Sequence, residues 1–192
     1  MLILASTSPR RIELVQSAGL DFITASPKFN EKEISTKDIA VEEYVQLLSK
    51  NKALSLVNDY KNDVILAADT IVVYNNEILN KPIDEEDAFR MLKKLNGKKH
   101  SVLTGVCIIK GDLIESFYER SEVTFNKMTD EEIYAYIETK EPMDKAGAYA
   151  IQGIGSKFVK SYDGDFHTIM GLPLKEVLKK LKDLLWKTPI KR

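Results

Sequence analysis

One charge interrupts the most apolar part of the chain. Val64 to Ala68 is a continuous apolar run suited to a central strand, and Ile71 to Tyr74 carries the β-branched signal onward. Asp69 stands between them. A carboxylate buried without a partner is strongly destabilising, so this segment must bring Asp69 to a metal, a cation or a cleft. The alternative is a strand-end residue that bonds to neighbouring backbone amides.

Around that segment, strand-like and helix-like stretches alternate, which points to α/β architecture. Leu2 to Ala5 reads as a buried strand and Pro9 to Ala18 as a helix closed by Gly19. A second helix is expected from about Val41 to Asn58. Asn75-Asn76 makes a hairpin turn into Glu77-Ile78-Leu79, and Asp84 can cap a helix ending near Gly97. Ser101 to Lys110 and Leu113 to Phe125 read as strands joined at Gly111-Asp112. Thr129 and Glu132 have capping-box spacing for a helix reaching about Thr139. The last third holds a glycine-rich turn region, strands around Phe158 and His167, and a helix after Pro173. Hairpins mixed with strand–helix units imply a mixed sheet.

A chain of 192 residues with 44% hydrophobic content can bury its apolar surface without disulfides or a structural metal, as one domain or two closely packed lobes. Its 28 basic and 29 acidic residues argue against a chain-wide nucleic-acid footprint, while a local basic patch could still hold phosphates. Cys107 is the only cysteine, which excludes an internal disulfide and fits a reducing compartment. Met1 to Ala5 is too short for a signal peptide or a membrane span, so a cytoplasmic protein is expected.

Four places carry chemistry. Ser6-Thr7-Ser8-Pro9-Arg10-Arg11 lies between a strand and a helix, where unpaired N–H groups and two arginines suit a phosphate; the alternative is a Ser8-Pro9 cap with solvated arginines. Lys52 shares a helical line with Val41, Val45 and Leu48, so it either snorkels at the edge of the apolar face or enters a cleft. Asp69, Glu31 in a polar loop, Lys52 and Lys81 together suit a triphosphate with a divalent ion. In Asp144 to Gly153, small residues allow close backbone approach, and Tyr149 and Gln152 could stack on or hydrogen-bond a base; the alternative is a tight structural turn. His100 and His167 are too isolated for a metal site, and Cys107 reads as an inert buried thiol.

The strings Ala5-Ser6-Thr7-Ser8-Pro9-Arg10-Arg11, Ala68-Asp69-Thr70, Asn80-Lys81-Pro82, Asp144 to Tyr149 and Met170-Gly171-Leu172-Pro173 occur in the order found in Maf proteins. The chain resembles that family over nearly its whole length, as a single domain spanning 1–192. The resemblance implies an α/β fold like inosine triphosphate pyrophosphatase: a long mixed sheet flanked by helices, with two lobes around a cleft. It also implies hydrolysis of dTTP and UTP between the α- and β-phosphates, with Mg²⁺ or Mn²⁺. By this resemblance Ser8 and Arg11 contact phosphate, and Glu31 and Asp69 form the acidic, metal-holding pair. Asp69 matches the proton acceptor, and Lys52 and Lys81 are the cationic partners. Arg10, Thr70 and Gln152 match the pyrimidine branch, whereas a 7-methyl-GTP branch tends to carry tryptophan, glutamine and glutamate there. Ala150 departs from the glycine usual in that branch. The expected ligand is a nucleoside triphosphate, with neither nucleic acid nor membrane as partner, and a homodimer is the candidate assembly. A regulatory interaction protein of septum formation is the competing class.

Overall fold

In a computed structural model that describes residues 1–186, strand β1 (Leu2–Leu4) pairs in parallel with β2 (Phe22–Thr24) and with β3 (Val64–Tyr74). Asn75 and Asn76 both take positive φ, 51° and 62°, and turn the chain into β4 (Glu77–Leu79), which lies antiparallel on β3. The long strands β5 (Lys99–Lys110) and β6 (Leu113–Phe125) follow, joined by Gly111-Asp112, and β7 (Val159–Asp163) runs antiparallel to the end of β6. The strand order is β2-β1-β3-β5-β6-β7, with β4 paired to β3. This is the expected mixed sheet.

The helices are α1 (Pro9–Ser17), α2 (Val41–Leu54), α3 (Glu85–Leu95), α4 (Asp130–Glu138), α5 (Phe166–Met170) and α6 (Leu174–Trp186). Local chemistry starts two of them as expected. The Asp84 carboxylate accepts the Asp87 N–H at 2.8 Å, and Thr129 and Glu132 complete both bonds of a capping box.

Three readings need correction. β3 is continuous from Val64 to Tyr74, so Asp69 lies inside a strand and not at its end. Helix α2 stops at Leu54, short of Asn58: the Ser55 hydroxyl bonds the Lys52 carbonyl at 2.7 Å and accepts the Lys28 N–H at 3.0 Å. Such side-chain bonds compete with helix continuation. His167 sits in helix α5, not in a strand, because the Asp165 carboxylate takes the Thr168 N–H (2.7 Å) and hydroxyl (2.9 Å), as a helix cap does.

The chain forms two compact units, each with its own core. The first comprises Met1–Asp69, Thr104–Glu119 and the chain from Gly171; the second comprises Thr70–Leu103 and Arg120–Met170. In the first, Ile3 of β1 and Ala5 just after it, Ile65 and Ala67 of β3, Ala53 of α2 and Leu56 just beyond it, and Cys107 and Ile109 of β5 pack together. In the second, Leu92 and Leu95 of α3 and Ile133, Tyr136 and Ile137 of α4 pack with Val72, Val102, Val123 and Phe125 of the strands. No helix among the described residues is long and apolar enough to cross a membrane.

Candidate active site

Helix α2 approaches the sheet closely because β5 has no side chain at Gly105. A Cβ there would stand 2.3 Å from the Val45 carbonyl oxygen. The helix buries Tyr44, Val45, Leu48, Ser49 and Ala53. Along β3, Ile65 and Ala67 face the core shared with Ala53, and the two-residue period puts Asp69 on the same side. Lys52 therefore turns inward. Its side chain is 12% exposed and Asp69's is 11%.

The Lys52 ammonium pairs with the Asp69 carboxylate and with Glu31 Oε1, the latter at 2.6 Å. Glu31 comes from a single 3₁₀ turn, Glu31–Glu33, and stays half exposed. The cleft reading of Lys52 thus prevails over snorkelling at the surface. It also answers the buried carboxylate, since Asp69 is only tolerable inside an apolar strand with a cation against it.

The Ser6–Arg11 motif lies in the same unit. Ser8 is the N-cap residue of α1 by backbone, its carbonyl accepting the Ile12 N–H at 3.1 Å, but its side chain makes no capping bond. The Ser8 N–H donates to Ser6 Oγ at 3.1 Å. Arg11 Nε donates to the Gly171 carbonyl at 2.7 Å, joining this motif to Met170-Gly171-Leu172-Pro173. Burial pulls the Arg11 guanidinium below its ordinary pKa, and the charges of Asp69 and Glu31 oppose that shift. Arg10 is partly buried beside it. Tyr44 was not singled out from sequence; burial, together with Asp69 and Glu31, raises its pKa, which marks it as a neighbour of the acids. An apolar-patterned helix gives no sign of that, because an inward tyrosine looks like core.

The remaining expected residues lie in the second unit. Thr70 is partly buried and, by strand alternation, leaves β3 on the face opposite Asp69. Lys81 is exposed, just after Asn80, whose carbonyl accepts the Gly147 N–H at 3.2 Å. That bond ties two of the sequence motifs together. Gly147 has φ 68°, and a Cβ on it would meet the Val72 side chain at 2.9 Å.

Gln152 is partly buried and precedes the 3₁₀ segment Gly153–Phe158. Glu141 holds this segment, accepting the Ile154 and Gly155 N–H groups at 3.0 and 2.9 Å. Burial pushes the Glu141 carboxyl up, but the Tyr136 hydroxyl, those two N–H groups and Lys145 outweigh it and lower its pKa. Tyr136 Oη also accepts the Ala150 N–H at 3.2 Å. Tyr149 is no stacking platform. It is 5% exposed, packs edge-on against His100 and Phe125, and its hydroxyl bonds His100 Nε2 at 2.8 Å.

The chain matches the family model described as Maf-like protein over residues 1–184. It is 56% identical over 183 residues to the dTTP/UTP pyrophosphatase of Acholeplasma laidlawii (strain PG-8A), covering 95% of this chain and 96% of that one. It is 49% identical over 181 residues to the enzyme of the same name from Caldicellulosiruptor bescii, covering 90% and 89%. With that from Aquifex aeolicus (strain VF5) it shares 41% over 183 residues, 95% of each chain. Agreement of this extent leaves no segment of the fold outside the comparison but the last few residues, and the chain belongs to the Maf family.

Proposed function

We propose that this chain is a nucleoside triphosphate pyrophosphatase that hydrolyses dTTP and UTP to the monophosphate and pyrophosphate. The observation that carries the reading is one buried ammonium, Lys52, holding two carboxylates, Glu31 and Asp69, from different elements. The printed activity of relatives aligned over nearly the whole chain supports it.

In this reading water attacks the α-phosphorus and pyrophosphate leaves with the electrons of the broken P–O bond. Asp69 accepts the proton of the attacking water. Lys52 and Lys81 neutralise phosphate oxygens, and the Ser8 hydroxyl and Arg11 hold phosphate at the start of α1. Arg10, Thr70 and Gln152 are assigned to the pyrimidine. Glu31 and Asp69 supply hard carboxylate oxygens, a donor set that fits Mg²⁺ or Mn²⁺ completed by substrate phosphates. Such an ion supplies charge neutralisation at the leaving pyrophosphate. The place of action in this proposal is the cytoplasm.

Hydrolysis in ¹⁸O-labelled water tests the bond broken. Label in the nucleoside monophosphate is the expected result; orthophosphate and nucleoside diphosphate as primary products would sink the assignment.

A further inference from the structure

The backbone on either side of Gln152 is pinned by two side chains from earlier in the chain. Two residues before it, the Ala150 N–H donates to Tyr136 Oη at 3.2 Å. Two and three residues after it, the Ile154 N–H donates to Glu141 Oε1 at 3.0 Å and the Gly155 N–H to Glu141 Oε2 at 2.9 Å. The Tyr136 hydroxyl in turn donates to the Glu141 carboxylate, so the pins form one clamp. Tyr136 gives that clamp a rigid base, being wholly buried in α4 and edge-on to Phe158 with ring centres 5.1 Å apart. Apolar packing does not fix the stretch that the carboxylate holds, since Gly153 is exposed and Ile154 is 46% exposed. The glycines instead make room for the clamp. Gly153 has φ 76°, and a Cβ on it would stand 2.3 Å from Glu141 Oε1; one on Gly155 would stand 2.4 Å from Tyr136 Oη.

Gln152 adds no anchor of its own. Its backbone is extended, with φ −104° and ψ 167°, and its side chain does not cap the 3₁₀ segment that follows. We propose that Glu141 is a positioning residue for base selection: it holds the backbone that aims the Gln152 amide at the pyrimidine, and touches no substrate itself. This rests on the assignment of Gln152 to the base in the pyrophosphatase reading. An amide selects by direction, because its oxygen accepts and its nitrogen donates. Bonds to two successive N–H groups restrain the turn against rotation as well as displacement, which a single bond does not. A carboxylate suits this place because both of its oxygens accept; a glutamine would offer one acceptor and set its NH₂ against the other N–H. A misdirected amide leaves its bonds to the correct base unmade, so selectivity suffers before turnover does.

Measuring kcat/KM for UTP and for GTP in Glu141→Gln, Gln152→Ala and the double variant tests this, with thermal melting to verify the fold. Glu141→Gln is expected to lower the UTP-to-GTP ratio at least roughly threefold, the scale of one hydrogen bond lost at the clamp. Gly153→Ala, whose Cβ displaces the carboxylate, is expected to lower it likewise. In the Gln152→Ala background, adding Glu141→Gln is expected to leave the ratio where it was, because a positioning residue acts only through the residue it positions. An equal fall for both nucleotides in Glu141→Gln, as a merely structural clamp gives, or a further fall of the ratio in the double variant, would overturn the proposal. Gln152→Ala with an unaltered ratio would remove the base assignment and this proposal with it. Binding of the non-hydrolysable α,β-imido analogues of UTP and GTP reads the same ratio without turnover. The expected binding pattern in a chain that does not hydrolyse would therefore uphold the role of Glu141 and overturn the pyrophosphatase reading alone.

Discussion

Asp69, Lys52 and Glu31 illustrate how a residue's environment decides its role. Asp69 is nearly buried, and an amide in its place would keep the shape while losing the charge and, in the proposed reaction, the oxygen that accepts the proton. Asp69→Asn is therefore expected to lower turnover at least roughly a hundredfold with the fold intact, measured by pyrophosphate release and thermal melting. Near-normal turnover would leave Asp69 as a merely structural partner of Lys52. Gly171 reaches the candidate site through Arg11. Its φ of 115° is a conformation that side chains rarely adopt, and its carbonyl holds Arg11 Nε. Gly171→Ala should shift that carbonyl and weaken its hydrogen bond to the guanidinium. A hydrogen bond to a charged group contributes about 1.5–3 kcal/mol, so kcat/KM should fall roughly tenfold or more. Unchanged kinetics in a folded variant would show that Arg11 keeps its direction without Gly171.

At the scale of elements, the positions most legible in the sequence were those set by local chemistry. The Asp84 cap, the Thr129–Glu132 capping box and the Asn75-Asn76 turn act within a few residues, and each starts or turns an element where expected. Longer-range features were not legible. Lys52 on its helical line permits both a surface and a buried position, and only β3 passing beneath α2 selects the buried one. Tyr149 lies in a string of small residues that suggests an open platform, yet the partners that bury it, His100 and Phe125, come from the distant strands β5 and β6. Glu141 gave no signal, since its role depends on a turn more than ten residues later. Gly105 seats α2: any Cβ at that position collides with the backbone of the helix that carries Lys52. Gly105→Ala should destabilise the fold by about 1–3 kcal/mol, the usual range for overpacking. Because α2 must lift, activity should fall further than the stability loss explains under conditions where the variant is folded. Denaturant titration beside kcat measurement separates the two effects, and a variant that loses stability alone would show that Lys52 does not depend on the seating of α2.

For the molecule as a whole, part of the response of stability to pH comes from a group outside the candidate site. His100 is 2% exposed within the core of the second unit, bonded through Nε2 to the Tyr149 hydroxyl and edge-on to Phe125. Burial lowers its pKa from 6.5 to about 4, with a backbone hydrogen bond at Lys98 opposing the shift. The imidazole is therefore neutral in the folded chain where the unfolded chain already binds a proton. Between those two pKa values the unfolded state holds more protons, so stability rises with pH across the interval and falls as the medium is acidified. The contribution is complete above about pH 6.5 and is lost progressively towards pH 4. From pH 7 to pH 5 this one group should cost about 2 kcal/mol of unfolding free energy. Urea unfolding at the two pH values measures the loss. His100→Gln keeps a hydrogen-bonding side chain near Tyr149 but does not titrate, so it should lower stability at pH 7 and yet show a smaller difference between pH 7 and pH 5 than the unsubstituted protein. An equal acid sensitivity in the two proteins would assign the effect to the carboxylates, such as Glu141, whose lowered pKa acts in the same direction at lower pH.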